Sequence, residues 1–211
     1  MEKSEDELKI CEFGRERFEP VVDEIERLMA KKDKERIIVA IDGKCGSGKT
    51  TLGSYLQKKF DCNLFHMDDF FLQNHQRTEK RLKEAGGNVD YERFKEEVLE
   101  PLLSGRLVKY RTFNCILRVI NKEYEVYPKK LNIIEGSYSQ HPYFENPYDL
   151  CIFLDIDDQT QIENIKKRNG LEKLELFRTK WIPMENRYFD EFKTKEKSLV
   201  VEWKKLPKSE R

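Results

Sequence analysis

Short apolar runs alternate with amphipathic stretches along this chain. The apolar runs predict buried strands, and they lie at residues 37–41, 63–66, 108–113, 131–134, 150–154 and 199–201. Apolar residues at helical spacing predict helices between them, at residues 52–60, 91–103, 158–169 and 183–192. This alternation predicts an α/β fold, a three-layer α/β/α arrangement in which helices cover both faces of a central parallel sheet.

Residues 1–35 are predicted to form a helical extension ahead of the first strand. One short helix is expected to stop near Gly14, and a second to begin at Pro20, a residue that suits the first turn of a helix. The second helix carries an apolar stripe that predicts packing against the core: Phe18, Val21, Val22, Ile25, Leu28 and Met29. The main domain is expected to span residues 36–204, followed by a polar tail at 205–211.

Two segments of the main domain are predicted to be less regular. Residues 117–127 are rich in β-forming residues, and a hairpin turn is expected at Asn121 and Lys122. Residues 170–180 are charged and follow a helix whose predicted cap is Asp158. We therefore expect a small β-rich insertion and, later in the chain, a loop-like lid.

A glycine-rich motif follows the first predicted strand directly. It reads Gly43-Lys44-Cys45-Gly46-Ser47-Gly48-Lys49-Thr50, the phosphate-binding pattern. The glycines let the backbone turn tightly and bring N–H groups to phosphate oxygens. Lys49 places a cation against the terminal phosphates, and the Thr50 hydroxyl can ligate Mg²⁺. Because the following helix points its N-terminus at this turn, the sequence predicts a polyphosphate site here.

Acidic residues stand at the ends of several predicted strands. Asp42 ends the first strand, Asp68 and Asp69 follow the second, and Glu135 and Asp155 end two later ones. Ligands of parallel α/β sheets bind outside the carboxyl ends of the strands. We therefore expect these acids to belong to the same site as the glycine-rich motif.

Charge and composition narrow the classes of function. The 211 residues include 40 Lys+Arg and 40 Asp+Glu, so no net basic field favours nucleic acid or an anionic membrane as a partner. No apolar stretch approaches the ~20 residues of a membrane span, and the acidic N-terminus does not resemble a signal peptide. The five cysteines are scattered without CxxC pairs, which indicates reduced thiols and a cytoplasmic location. Cys45, inside the motif, is interpreted as a passive spacer.

Four motifs together resemble the uridine kinase-like branch of the P-loop kinases, which also contains phosphoribulokinases and pantothenate kinases. They are DGKCGSGKTT at 42–51, MDDFF at 67–71, NVDYERF at 88–94 and IEG at 134–136. The resemblance runs from about residue 36 to 202. It implies a phosphotransferase that uses ATP and Mg²⁺ to phosphorylate a hydroxyl of a small molecule, such as uridine, cytidine or a related metabolite.

The resemblance also implies roles for individual residues. The residues expected to bind ATP are Gly43, Lys44, Cys45, Gly46, Ser47, Gly48, Lys49, Thr50, Thr51 and Arg178. The expected Mg²⁺ ligands are Thr50, Asp68 and Glu135, and the expected acceptor contacts are Asp90, Tyr110 and Phe113. Asp90 suits equally well a cap for the helix that follows it. The expected catalytic residues are Lys49, Asp68, which orients or deprotonates the acceptor hydroxyl, and Arg168, which closes over the γ-phosphate.

Some stretches depart from the uridine kinase pattern. Residues 114–118 replace a His-Ser-Arg-like stretch, Asn164 stands where a second lid arginine is common, and residues 181–189 differ from the usual sequence. These departures leave open a nucleotide-binding regulatory protein without turnover. A plain ATPase is a third interpretation, whereas the lack of Asp-x-x-Gly and Asn-Lys-x-Asp motifs argues against a GTPase. The sequence does not indicate an oligomeric state.

Overall fold

Among residues 5–115 and 117–202, which the computed structural model describes, five strands form one parallel sheet. The strands in chain order are β1 Ile37–Gly43, β2 Cys62–His66, β3 Val108–Asn114, β4 Val119–Val126, β5 Leu131–Glu135, β6 Leu150–Asp155 and β7 Leu199–Glu202. The sheet has the order β2-β5-β1-β6-β7, while β3 and β4 pair antiparallel in a separate hairpin. The α/β class, the central parallel sheet and the small β-rich insertion are thus confirmed. The predicted tail at 205–211 lies outside the described residues.

Helices cover both faces of this sheet. They are α1 Glu5–Met29, α2 Lys49–Lys59, α3 Glu79–Leu82, α4 Tyr91–Phe94, α5 Glu100–Leu103, α6 Asp158–Asn169, α7 Leu171–Leu176 and α8 Ile182–Phe192. One π-helical turn, Lys95–Leu99, joins α4 to α5, and another, Phe177–Trp181, joins α7 to α8. Within the part of the chain that is described, no helix combines the length and the apolar content that a membrane crossing needs.

Alternate residues of β1 point to opposite faces of the sheet and enter two apolar cores. Ile37, Val39 and Ile41 lie in the core that α1 and α2 cover. Ile38 lies in the other core, with Phe94 of α4 and Tyr188 of α8. All seven residues of β1 are buried, which is the pattern expected of a central parallel strand.

The N-terminal helix is continuous, so the prediction of two separate helices is wrong. α1 passes through both Gly14 and Pro20 without a break. A proline inside a helix costs about 3 kcal/mol, and burial of the apolar stripe offsets this cost. The stripe is confirmed as a packed face: Phe18, Val21, Val22, Ile25 and Leu28 are buried, and Met29 packs partly buried beside them.

The hairpin turn predicted at Asn121 and Lys122 is also wrong, because both residues lie within β4. Lys122 pairs with Thr112, and the register shifts immediately afterwards, so Asn121 is the extra residue of a β-bulge. The turn lies instead between β3 and β4. There the side chain of Asn114 accepts the backbone N–H of Leu117 at 2.9 Å.

The segment predicted to be a loop-like lid is helical. α7, the second π turn and α8 follow one another from residue 171 to 192, directly after Gly170 caps α6. Residues 171–182 contain no glycine or proline and are rich in Leu, Glu and Lys, which favour helix. Residues 171–181 are hereafter called the lid helix.

Two helix details also differ from the sequence-based expectation. The cap of α6 is Asp157 rather than Asp158, since the Asp157 side chain accepts the Thr160 N–H at 2.9 Å. In a second helix, the π turn Lys95–Leu99 lies just before Pro101, a residue that the sequence predicts to kink the helix. Proline lacks an N–H to donate, so the helix changes its hydrogen-bond register next to it.

Gly43, at the end of β1, has no room for a side chain. Its φ is +133°, and an added Cβ would lie 2.2 Å from the carbonyl oxygen of Leu154 in β6. We expect Gly43→Ala to lower the free energy of unfolding by more than about 2 kcal/mol, because β1 and β6 would have to move apart. Equilibrium denaturation in urea measures this loss.

Gly170→Ala is the matched control, since it separates backbone strain from steric overlap. Gly170 also has a positive φ, +79°, but none of the described atoms lies within 4 Å of an added Cβ. Its φ of +79° and ψ of +170° lie in a region that is essentially restricted to glycine, so we expect backbone strain alone to cost about 1–3 kcal/mol, less than the loss in Gly43→Ala, where steric overlap adds to the strain. Equal losses in the two variants would contradict the steric explanation.

Candidate active site

The glycine-rich motif forms the loop between β1 and α2. Gly46 and Gly48 have φ values of +77° and +95°, a conformation that glycine adopts at little cost. Gly48 caps α2, and Lys49 is the first residue of that helix. Loop amides next to a helix N-terminus form an anion-binding concavity. The structure therefore forms a glycine-containing turn directly ahead of a helix N-terminus, and phosphate binding at this turn stays a prediction.

The loop is held in shape by side chains on its outer side. Gln161 of α6 donates to the carbonyl of Cys45 at 3.0 Å, and Asn164, one turn later, donates to the next loop carbonyl at 2.9 Å. Arg17 of α1 donates to the carbonyl of Ser47 at 3.1 Å. These contacts occupy three consecutive loop carbonyls. The N-terminal helix thus contributes directly to the loop.

The two lysines of the loop point in different directions. Lys49 folds back over the start of the loop, where its Nζ donates to the carbonyls of Gly43 at 2.7 Å and Lys44 at 3.1 Å. Lys44 reaches away from the loop to the carbonyl of Ile156 at 3.0 Å and the carboxylate of Asp158 at 3.2 Å. Lys49 therefore stays at the loop itself, and its contact with the terminal phosphates of a nucleotide stays a prediction.

Glu135 connects the loop to the end of β2. Its carboxylate accepts a hydrogen bond from the Thr50 hydroxyl at 3.2 Å. The same carboxylate lies 2.5 Å from Nδ1 of His66, and this hydrogen bond raises the pKa of His66. Glu135 is buried, so its charge is held in place by these two partners.

These residues fit a magnesium ion that is shared with a nucleotide. Thr50 and Glu135 bring a hydroxyl and a carboxylate oxygen together, which are ligands that Mg²⁺ prefers. Within the described residues, no group of three or more His, Cys, Asp or Glu could hold a metal. Mg²⁺ in nucleotide sites is commonly bound through one or two protein groups plus phosphates and water, so the donor set suits such a site.

Asp68 lies at the centre of the charged groups. Burial raises the pKa of its carboxyl group, Glu135 and Glu185 raise it further, and Lys49 and Arg168 lower it. The side chain nevertheless has solvent-accessible surface, as expected for a group at the bottom of an open cleft. A carboxylate so placed is accessible to a small molecule and lies within electrostatic range of both cations.

The two arginines predicted to close over the phosphates lie on α6 and on the lid helix. Arg168 is exposed near the end of α6, and its guanidinium lies 5.9 Å from the centre of the Phe177 ring. Its positive charge lowers the pKa of Asp68 slightly, against the larger effect of burial, which raises that pKa. Arg178 is exposed on the π turn of the lid helix. Both arginines are exposed, and their contacts with a γ-phosphate stay predictions.

A cavity of about 380 Å³ lies between Asp69 and the β3–β4 hairpin. The lining residues are Leu64, His66, Asp69, Tyr110, Thr112, Phe113, Asn114, Asn121, Lys122 and Tyr124. Tyr110 stacks on Tyr124, with ring centres 5.5 Å apart. Burial raises the pKa of Tyr110 to about 12, so its phenol remains a neutral hydrogen-bonding group. Two of the three predicted acceptor contacts, Tyr110 and Phe113, thus line one cavity.

Asp90, the third predicted acceptor contact, is the buried cap of α4. Its carboxylate accepts the backbone N–H of Arg93 at 3.2 Å and the side-chain amide of Gln76 at 2.9 Å. The guanidinium of Arg93 in turn donates to the carbonyl of Asp69 at 2.8 Å. Asp90 therefore supports the turn that carries Asp68 and Asp69, and its contact with an acceptor stays a prediction.

Two buried acids accept hydrogen bonds from backbone N–H groups of the loop. Asp42 accepts hydrogen bonds from the N–H of Gly43 at 2.8 Å and the hydroxyl of Tyr188 at 2.9 Å, and burial raises its pKa to about 6. Glu185 of α8 accepts a hydrogen bond from the backbone N–H of Cys45 at 2.9 Å. The strand-end position of Asp42 is visible in the sequence. No motif indicates Glu185, whose partner lies 140 residues earlier in the chain.

Cys45 is chemically protected in this loop. Burial raises the pKa of its thiol, and the nearby charge of Glu185 raises it further. Cys115 is exposed at the hairpin, although partial burial raises its pKa as well. We expect iodoacetamide to modify Cys115 at least about ten times faster than Cys45, because the thiolate is the reactive form. Peptide mass spectrometry measures both rates, and equal labelling would contradict the passive-spacer interpretation.

Comparison with known proteins supports the fold. No family model matches the chain, and no curated protein matches it in sequence. Among solved structures, it is similar to a possible uridine kinase from Bacillus stearothermophilus, with 19% identity, a TM-score of 0.62 and coverage of 86% of this chain and 99% of that one.

Two further solved structures are similar. A provisionally assigned fructose transport system kinase from Silicibacter sp. TM1040 has 19% identity, a TM-score of 0.67 and coverage of 88% of this chain and 98% of that one. D-glycerate 3-kinase from Cryptococcus neoformans has 16% identity, a TM-score of 0.55 and coverage of 81% and 86%. The resemblance to uridine kinase-like P-loop kinases is thus confirmed at the level of the fold.

Proposed function

We propose that this protein is an ATP-dependent kinase that phosphorylates a hydroxyl group of a small molecule. The observation that carries the proposal is the position of Asp68. It lies within electrostatic range of Lys49, Glu135 and Arg168, and the neighbouring Asp69 lines a cavity large enough for a small-molecule acceptor. A phosphate loop, a carboxylate and an acceptor-sized cavity at one cleft are the parts that phosphoryl transfer needs.

The proposed chemistry depends mainly on position and charge. The loop amides and Lys49 hold the phosphate chain, and Arg168 approaches its end from α6. Asp68 orients the acceptor hydroxyl and accepts its proton as the oxygen attacks the γ-phosphorus, while the bond from that phosphorus to the bridging oxygen of the β-phosphate breaks and ADP leaves. Thr50 and Glu135 would hold Mg²⁺, which when bound neutralises charge on the transferring group. The lid helix, which carries Arg178, closes the cleft and excludes water.

The acceptor is proposed to be a neutral or weakly charged alcohol of about nucleoside size. Aromatic rings of Tyr110, Phe113 and Tyr124 line the cavity together with polar groups such as Asn121. Such a lining suits a ring with hydrogen-bonding edges. Uridine and cytidine satisfy this description, as do other ring-bearing metabolites.

A nucleotide-binding regulatory protein without turnover is the second candidate. It is favoured by the sequence of residues 114–118, which differs from the expected His-Ser-Arg-like stretch and begins at Asn114, a residue that lines the cavity. In this case the protein would bind ATP and a partner but release no phosphorylated product.

The test is ATP consumption in the presence of nucleosides, pantothenate, sugars and vitamin alcohols, with mass spectrometry to detect the product. We expect one class of alcohol to give a phosphate ester and to accelerate ADP formation. ATP binding without any product supports the regulatory protein. Steady hydrolysis that no acceptor accelerates would indicate an ATPase instead.

A further inference from the structure

Glu185 joins α8 to the phosphate loop through a buried carboxylate. One oxygen accepts the N–H of Cys45 at 2.9 Å, and the other accepts the hydroxyl of Ser137 at 2.6 Å. The residue is only 6% exposed. A buried carboxylate requires such partners, and here one of them is an amide of the loop that is proposed to bind phosphate.

The Cys45 amide lies next to the two loop carbonyls that hold the Lys49 side chain. Lys49, which reaches the β- and γ-phosphates in loops of this type, has its Nζ at the carbonyls of Gly43 and Lys44. Cys45 is the next residue. We therefore expect the N–H that Glu185 occupies to lie beside the γ-phosphate of a bound triphosphate.

A carboxylate and a γ-phosphate cannot both accept this N–H at close range, because two anions in a buried site repel each other. We propose that Glu185 lets the site distinguish a nucleoside triphosphate from a diphosphate. The γ-phosphate displaces the Glu185 carboxylate from the Cys45 amide, whereas a diphosphate leaves it in place. This proposal rests on the nucleotide site of the proposed function.

The displacement would be transmitted to the lid helix. Glu185 lies one helical turn after Trp181, which ends the lid helix and leads directly into α8. Further along α8, Tyr188 is anchored to Asp42 by its hydroxyl at 2.9 Å. Release of Glu185 therefore lets the start of α8 and the lid helix move, while the bond between Tyr188 and Asp42 holds the rest of α8 in place. The position of the lid helix then depends on whether a γ-phosphate is bound.

The test compares the binding of ADP and the non-hydrolysable triphosphate AMP-PNP, both with Mg²⁺, by calorimetry. We expect Glu185→Gln, which keeps the shape and removes the charge, to bind AMP-PNP about tenfold more tightly than the unaltered protein. ADP binding should change by less than about twofold. Glu191→Gln, an exposed acid on the same helix, is the matched control and should change neither value.

A second measurement needs no change at Glu185. The chain has two tryptophans, Trp181 and Trp203, and Trp203→Phe leaves Trp181 as the reporter. We expect its fluorescence to respond to AMP-PNP and to respond much less to ADP. An equal response to both nucleotides, or an unchanged affinity ratio in Glu185→Gln, overturns this inference while the kinase proposal stands. If the unaltered protein binds neither nucleotide, both proposals fail.

Discussion

Lys49→Ala should remove most of the affinity for ATP and lower the rate of phosphoryl transfer by at least about 10³-fold. Its Nζ is held over the first turn of the loop by two carbonyl oxygens, 2.7 and 3.1 Å away. A cation placed there meets charge that develops on the transferring group. Calorimetry with ATP and a single-turnover assay measure the two losses separately.

Lys44→Ala is the matched control for this variant, because it removes a lysine from the same loop. The Lys44 side chain bonds to Ile156 and Asp158, away from the anion-binding side. We expect its affinity for ATP to stay within about threefold of the unaltered protein, since the loop amide at this position is retained. Equal effects of Lys44→Ala and Lys49→Ala would contradict the assignment of Lys49 to the phosphates.

Elements fixed by their own hydrophobic pattern could be predicted from the sequence. β1 is an unbroken apolar run because both faces of the sheet bury it, and the loop after it needs glycine at its left-handed positions. Predictions from a local sequence signal were wrong where tertiary packing opposed that signal. Pro20 indicates a helix start, yet burial of the stripe on α1 carries the helix through it.

Some residues of the candidate site could likewise be predicted from the sequence, and others could not. Asp68 and Glu135 could be predicted because they follow apolar strands, and neighbouring parallel strands bring their carboxyl ends together. Glu185 could not, because a single acid on a charged helix carries no pattern, and its contact with Cys45 joins distant parts of the chain. Asp90 suits both a cap and an acceptor contact in the sequence, and burial places it as the cap.

Asp68→Asn should lower kcat by about 10²- to 10⁴-fold while ATP still binds. Asparagine keeps the shape of the side chain but cannot take the proton of the acceptor hydroxyl. Removing a negative charge close to Glu135 and Glu185 should not weaken the binding of an anionic nucleotide. Steady-state kinetics with the acceptor that the screen of alcohols identifies, together with calorimetry for ATP, measure the two effects.

Asp69→Asn separates this role from a general effect of charge in the cleft. Asp69 lines the acceptor cavity, so we expect a higher KM for the acceptor and a much smaller change in kcat.

The dependence of kcat/KM on pH distinguishes Asp68 from Asp69 in a second way. Burial raises the pKa of Asp68 above its ordinary value, so kcat/KM of the unaltered protein should fall as the pH drops through that raised pKa. Asp69→Asn should keep this acidic limb, and Asp68→Asn should lose it. A profile with the same acidic limb in Asp68→Asn would assign the proton acceptor to another group.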